Sequence, residues 1–351
     1  MTAPPRLTTA RERGQPIIGS FCSHIAEEWI EAAGAMPMRL CVSPQPGTEP
    51  GRERLPRDAC AIAAATLNQL LDGWLAQGLI DAVVVPTTCD WKMKLGEALA
   101  DRLPVIRVNL PHCRDAGLWE AELGRMADAL GRITDLPITR GSLRAARERR
   151  TARDAALREL LWLRKADPPP ISGSRAVRFA DSLAYADPDQ WLDDCRMLVN
   201  ELRESPEYVA AGPRLLLTGS PIVLPDLSLV EMVEQLGGVV VADDFCGRGA
   251  LLYDLPRDPS SSTCCFFADT APRLSLINRL IGDFAVDGVI HHVVKGCAVY
   301  AADASVLRSH LSARGVPVIE IETEAHAPRE AIRTRLQAFL ELLAHRKEAL
   351  T

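Results

Sequence analysis

The chain has 351 residues, 47% hydrophobic and 25% charged, which excludes a disordered or fibrous protein and leaves room for two domains. A formal charge of −6 and only 5% aromatic residues argue against a nucleic-acid binder. No apolar run approaches the roughly 20 residues of a membrane helix, and the opening Met-Thr-Ala-Pro-Pro-Arg has no apolar signal core, so a cytoplasmic protein without a membrane partner is expected.

Residues 1–15, rich in Pro, Thr and Arg, read as a flexible arm. Pro16–Ser20 is a short apolar strand ending in Gly-Ser, Glu27–Ala33 a helix broken at Gly34, and Met36–Val42 a second strand. Arg57–Gly73 is rich in Ala and Leu and predicts a helix, with Asp58 placed to cap it and Cys60 in its first turn. Asp81–Pro86 has the continuous apolar character of a strand buried on both faces. Thr87-Thr88-Cys89-Asp90 breaks it, a helix resumes over Trp91–Leu103, and Val105–Leu110 is another strand. Strands alternating with helices in this way predict a parallel sheet, and a first α/β domain over 16–116.

Residues 117–211 form an expected helical connector. Within it Arg140–Lys165 carries eight Arg and one Lys, interrupted by Glu148, Asp154 and Glu159, the pattern of a solvated helical face. Asp167 and the prolines at 168–170 stop that helix. A second α/β domain is expected over 212–351, and it repeats the first. Arg214–Ser220 matches Pro16–Ser20, residues 236–246 match 33–41, Val286–Ile290 matches Ile80–Val85, and Val316–Ile321 matches Leu103–Val108. The fold class is therefore α/β: two Rossmann- or flavodoxin-like parallel-sheet domains, an internal repeat joined by a helical segment and facing each other across a cleft.

The ten cysteines are the chemical feature of the chain. Ligands of open parallel sheets bind beyond the carboxyl ends of the strands. Cys22, Cys89, Cys246 and Cys297 each follow a predicted strand, Cys60 starts a helix, and Cys264 and Cys265 lie in a loop rich in Ser and Thr. Core filler would fall inside strands and helices, so this placement points to a thiolate site. Close C-x-x-C pairs for structural zinc are absent, as is a ferredoxin-type run. Cysteines gathered singly from distant loops suit an iron–sulfur cluster held between domains. His24, His112, His291 and His292 are available to a cysteine nucleophile, but nothing singles one out. Gly219, Gly247 and Gly249 are candidates for bringing backbone amides close to a cofactor, or simply for tight turns.

Several ordered motifs then become recognisable. G-S-F-C-S-H-I-A-E-E-W-I-E-A-A-G-A-M-P-M-R-L from residue 19, L-P-R-D-A-C at 55–60, T-T-C-D-W-K-M-K at 87–94 and L-L-T-G-S-P-I at 216–222 resemble the 2-hydroxyacyl-CoA dehydratase and benzoyl-CoA reductase subunit family. So do G-G-V-V-V-A-D-D-F-C-G, V-D-G-V-I-H-H-V-V-K-G-C-A-V-Y and, at 315–323, G-V-P-V-I-E-I-E-T. The resemblance spans about residues 16–325.

Dehydratase subunits of that family carry one cubane held by three cysteines. A sister branch, the double-cubane cluster proteins, holds two cubanes with cysteines from both halves. The resemblance places Cys22, Cys60 and Cys89 at the first-half positions, and Cys246, Cys264 or Cys265, and Cys297 at the second. The count favours the double-cubane branch. Asp303 stands where relatives often have Glu, and Cys41, Cys113 and Cys195 are left over as structural.

The resemblance implies an iron–sulfur oxidoreductase, working anaerobically as a homodimer. It would take low-potential electrons from an ATP-dependent iron–sulfur activator and reduce a small-molecule substrate. The alternatives are a dehydratase or benzoyl-CoA reductase subunit with a single [4Fe-4S] cluster and a non-identical partner, or a non-catalytic two-domain binding protein. The chain has no G-x-x-x-x-G-K-[ST], so ATP is expected on the separate activator, docking near Asp243–Gly249. The run Gly247-Arg-Gly-Ala-Leu-Leu lacks the third glycine of a nicotinamide fingerprint.

Overall fold

Short apolar runs rich in Val, Ile and Leu form the strands, and both faces of each sheet are covered by helices. The computed structural model describes residues 4–44, 55, 56, 58–206, 208–245, 247–256, 258, 259, 261–324 and 329–349. Cys246 and Arg57 lie outside the described residues.

The first sheet comprises β1 (Ile17–Ser20), β2 (Met36–Arg39), β3 (Ala82–Pro86) and β4 (Val105–Val108), all parallel, in the order β2-β1-β3-β4. The second comprises β5 (Arg214–Gly219), β6 (Val239–Phe245), β7 (Gly288–Val294) and β8 (Val318–Thr323), in the order β6-β5-β7-β8. The two orders are the same, so the internal repeat read from the strand motifs is a repeat of topology. It extends to single atoms. Asp81 accepts from the backbone N–H of Ile17 at 2.7 Å, and Asp287 accepts from that of Arg214 at 2.7 Å, so in each half a carboxylate at the foot of the third strand pins the start of the first.

The first sheet carries α2 (Glu27–Ala32), α3 (Ala61–Gln69, continued by a π-turn to Trp74) and α4 (Asp90–Leu99). The predicted cap of α3 differs. The helix begins at Ala61 with Cys60 in the capping position, and neither Asp58 nor any other side chain caps it. Ahead of β1 lies α1 (Pro5–Glu12), within the stretch read as an arm. Pro at its first turn fixes the entry, and Leu7 and Ala10, one helical turn apart, are buried with Ile17, Met38 and Trp74.

The helices after β4 divide between the halves. Trp119, Met126 and Leu130 of α5 (Ala116–Thr134) pack on the first sheet with Ile18, Val84 and Ile106. The apolar faces of α6 (Arg140–Trp162), α7 (Gly173–Ser182) and α8 (Pro188–Glu204) join the core of the second sheet through Leu160, Leu161, Trp191 and Val199. Arginines of α6 pair with acids of α2: Arg149 and Arg153 with Glu31, and Arg150 with Glu28. The arginine-rich face is thus partly a helix–helix contact as well as a solvated surface. The second sheet is completed by α9 (Ser228–Gln235), α10 (Arg248–Leu252), α11 (Ala271–Asp283), α12 (Ala298–Ser312) and α13 (Arg329–Glu348). No helix among the described residues is long and apolar enough to cross a membrane.

Candidate functional site

In each sheet the strand order reverses next to the first strand, between β1 and β3 and between β5 and β7. The crevice beyond the carboxyl ends of such strands is where open α/β sheets bind ligands. Cys22 lies just past β1, Cys89 caps α4 after β3, and Cys297 caps α12 after β7. The two halves meet along this rim. Trp91 Nε1 donates to the carbonyl of Gly296 at 3.1 Å, and the N–H of Ala61 to that of Lys295 at 3.4 Å. Gly296 has φ +82°, and a Cβ there would stand 2.7 Å from the carbonyl oxygen of Asp58, so only glycine lets the loops approach this closely.

Cys60 and Cys297 meet across that seam. The Cys60 thiol donates to Cys297, and this hydrogen bond chiefly lowers the Cys297 pKa, against burial, to about 6. The same bond, with burial, holds the Cys60 thiol well above its usual range. Cys297 also accepts from Ser220, and the Lys92 ammonium favours its thiolate.

A second sulfur group forms around Cys22. Cys264 accepts from the Cys265 thiol and from His24, and these bonds hold it well below the usual thiol range despite burial. Cys265, the donor, is raised by that bond and by burial. Burial pushes the Cys22 thiol up, but the charges of Lys92 and His24 outweigh it and the net direction is down. Thr88, buried on the approach, donates to Cys22 Sγ at 3.9 Å and accepts from Lys92 Nζ at 2.9 Å. Lys92 therefore serves both sulfur groups.

Cys22 belongs to the first half of the chain and Cys264 to the second, as do Cys60 and Cys297. Both sulfur groups thus draw on both halves of the repeat, and among the described residues no three His, Cys, Asp or Glu side chains are arranged to hold one metal ion. Cys89 stands on the same rim and is half-buried; Cys246 is outside the described residues. Of the cysteines left over, Cys195 is buried in the second core with its thiol pushed up to about 12 by burial, and Cys113 is exposed.

The three glycines have identifiable neighbours. Gly219 has φ +112°, and a Cβ there would lie 2.1 Å from the His292 carbonyl oxygen, in the sheet itself. Gly249 makes room for the Asp244 carboxylate and donates its N–H to it at 3.2 Å. Gly247 turns at φ +85° facing Ser23 of the first half. His291 and His292 are both buried, and His292 bonds Ser220 O at 2.8 Å and Thr323 Oγ1 at 2.7 Å.

Asp243–Gly249 does not offer the acidic docking face expected of it. Asp243 and Asp244 are fully buried: Asp243 pairs with Arg164 at 3.0 Å and Arg248 at 2.8 Å, and Asp244 with Arg273 at 2.8 Å. Arg273 also holds Asp303 at 2.7 Å. Two adjacent carboxylates on a strand point to opposite faces, and each is neutralised by a cation brought from another helix.

Sequence reasoning passed over Lys92 and Thr88. Lys92, in the first turn of α4, reaches back over the Cys89 cap to Thr88, a contact that no local sequence pattern announces.

Residues 22–343 match the family described as 2-hydroxyglutaryl-CoA dehydratase, D-component. The chain is 27% identical over 95% of its length to YjiM of Escherichia coli (strain K12), provisionally named a dehydratase subunit, covering 93% of that protein. It is 23% identical to the lactoyl-CoA dehydratase subunit beta of Anaerotignum propionicum, over 95% of this chain and 93% of that one. It is also 22% identical to the (R)-2-hydroxyglutaryl-CoA dehydratase subunit beta of Acidaminococcus fermentans, over 98% and 97% of the two chains. With a match that runs from just past β1 through the second sheet and covers both sulfur groups, the chain belongs to the 2-hydroxyglutaryl-CoA dehydratase D-component family.

Proposed function

We propose that this chain is an iron–sulfur enzyme of the dehydratase family, holding its cluster on cysteines of both halves and receiving electrons from an ATP-dependent activator. The observation that carries the reading is the placing of thiols across the seam, Cys60 hydrogen-bonded to Cys297 and Cys22 within electrostatic reach of Cys264. The donor set fits such a group: soft sulfur ligands, several biased toward thiolate, on loops at the carboxyl edge of two sheets. Cys22, Cys60, Cys89, Cys264 or Cys265, and Cys297 would hold it, together with Cys246. When bound, such a cluster supplies single electrons at low potential. The chain's own residues then have distinct duties. Lys92 and His24 offset the anionic charge of the thiolates, and Thr88 and Ser220 donate to sulfur, the kind of contact that tunes a cluster. Trp91, half-buried and hydrogen-bonded to the Gly296 carbonyl, helps close the seam to water.

Cysteines from both halves favour two cubanes in one chain, reducing a small substrate as a homodimer. The relatives named as lactoyl-CoA and 2-hydroxyglutaryl-CoA dehydratase subunits favour a second reading, one [4Fe-4S] cluster in a subunit with a non-identical partner. Iron and sulfide analysis of anaerobically purified protein, with electron paramagnetic resonance after reduction, separates them. About eight irons per chain are expected for the first and about four for the second. A single tightly bound zinc would overturn both.

A further inference from the structure

Residues 261–269, which carry Cys264 and Cys265, come from the second half of the chain but lie on the first. Phe267 is 1% exposed, sealed among Ile18, Ile25, Leu110 and Trp119 of the first core. Cys264 and Phe266 pack against the same cluster. First-half side chains grip this strap from above. His24 Nε2 is 3.3 Å from Ser262 Oγ, and the His112 ring stands 4.1 Å from that of Phe266.

Arg114 makes the decisive contacts. Its Nη1 donates to the carbonyl oxygens of Pro259 at 2.8 Å and Ser262 at 3.0 Å, and its Nη2 to that of Asp269 at 3.0 Å. The guanidinium also covers the Phe267 ring, 4.4 Å from its centroid. One planar cation therefore ties both ends of the strap, on either side of the two thiols. The residue itself adopts φ +59°, a left-handed backbone that non-glycine residues rarely take unless their surroundings hold them there. A lysine ammonium at the same place offers its donors from a single point and lacks the fork that reaches these carbonyls from two nitrogens and stacks on Phe267.

We propose that Arg114 is a positioning residue, a latch that fastens the strap to the first domain and fixes where Cys264 and Cys265 stand. Its bearing on the cluster rests on the iron–sulfur reading above; the latch does not. The test labels the full, cluster-free chain with iodoacetamide and quantifies each cysteine by mass spectrometry. Arg114→Gln should raise the labelling rate of Cys264 and Cys265 about tenfold, the factor expected for losing a charge-assisted hydrogen bond, and leave Cys60 and Cys297 unchanged. Unchanged labelling at 264 and 265, or an equal rise at every cysteine, would overturn the latch. Should Arg114→Gln not fold, Arg114→Lys decides by the same ratio, with a smaller selective rise expected. Iron loss to a chelator from the anaerobically loaded chain supplies the second arm, and the Arg114 variants should lose iron faster than the parent. A selective rise in labelling with no iron in the parent chain would leave the latch standing and sink the cluster reading. Iron retained at the parental rate beside a selective rise in labelling would overturn the link between latch and cluster.

Discussion

Cys60 donates its thiol hydrogen to Cys297, a residue of the other half of the chain, and that bond makes Cys297 the more acidic of the two. A hydrogen bond to the charged form favours it, so the pair is poised as one thiol and one thiolate at neutral pH. The arrangement puts a preformed anion on the seam between two sheets.

Removing the donor should undo this. In the cluster-free chain, iodoacetamide labelling of Cys297 should reach half its maximal rate near pH 6, and Cys60→Ala should move that point upward. A midpoint that stays near its original pH would mean the thiols do not meet.

The cysteines should separate into two classes by iron content. Cys89→Ser and Cys297→Ser are expected to strip or convert the cluster, and Cys113→Ser to leave the iron unchanged. Cys195→Ser should keep its iron too, but buries a hydroxyl among Trp191, Leu198 and Val199 at about 1–3 kcal/mol of stability. Iron analysis beside urea unfolding reads both quantities, and loss of iron from Cys113→Ser alone would reverse the assignment.

Arg273 is a structural cation whose loss should be felt across the second core. It is 2% exposed and pairs with both Asp244 and Asp303, which are buried as well. Arg273→Met should cost about 3–5 kcal/mol in chemical denaturation, because two carboxylates are left without a partner away from water. Lys94→Met, which breaks an exposed pair with Glu97, should not shift the midpoint measurably.

His292 gives the fold a pH dependence of predictable sign. Burial lowers its pKa from 6.5 to about 4, and its two hydrogen bonds hold the neutral tautomer, with Nδ1–H donating to the Ser220 carbonyl and Nε2 accepting from Thr323. The unfolded chain takes up a proton in that window and the folded chain does not. Stability is therefore complete above about pH 6.5 and falls as the pH drops toward 4, by about 3 kcal/mol in all. His292→Gln should flatten the curve of unfolding free energy over this range, and an unaltered slope would rule the residue out as its source.

The strands, their parallel pairing and the repeat were legible because apolar β-branched runs followed by Gly, Ser or Thr are local signals, and both halves carry them at matching places. The placement of the cysteines at strand ends was legible for the same reason. Which sulfur neighbours which was not, because Cys264 comes within electrostatic reach of Cys22, and Cys60 meets Cys297, only through packing between distant segments. The burial of Asp243 and Asp244 was hidden likewise. Their compensating cations, Arg164 and Arg273, sit on other elements, and nothing local distinguishes a carboxylate in a dry ion pair from one on a surface. The helix Pro5–Glu12 was obscured by a composition that suits a loop, and is held by Leu7 and Ala10 against the first core.

The strap has a further consequence for how the chain comes apart. Phe267 belongs to one half by sequence and to the other by burial, so the first half has no complete interior without the second. Unfolding the second half pulls this plug from the first and floods the socket lined by Ile18, Ile25 and Trp119. Two cores built on the same plan should therefore melt as one cooperative unit, with coincident transitions by different probes.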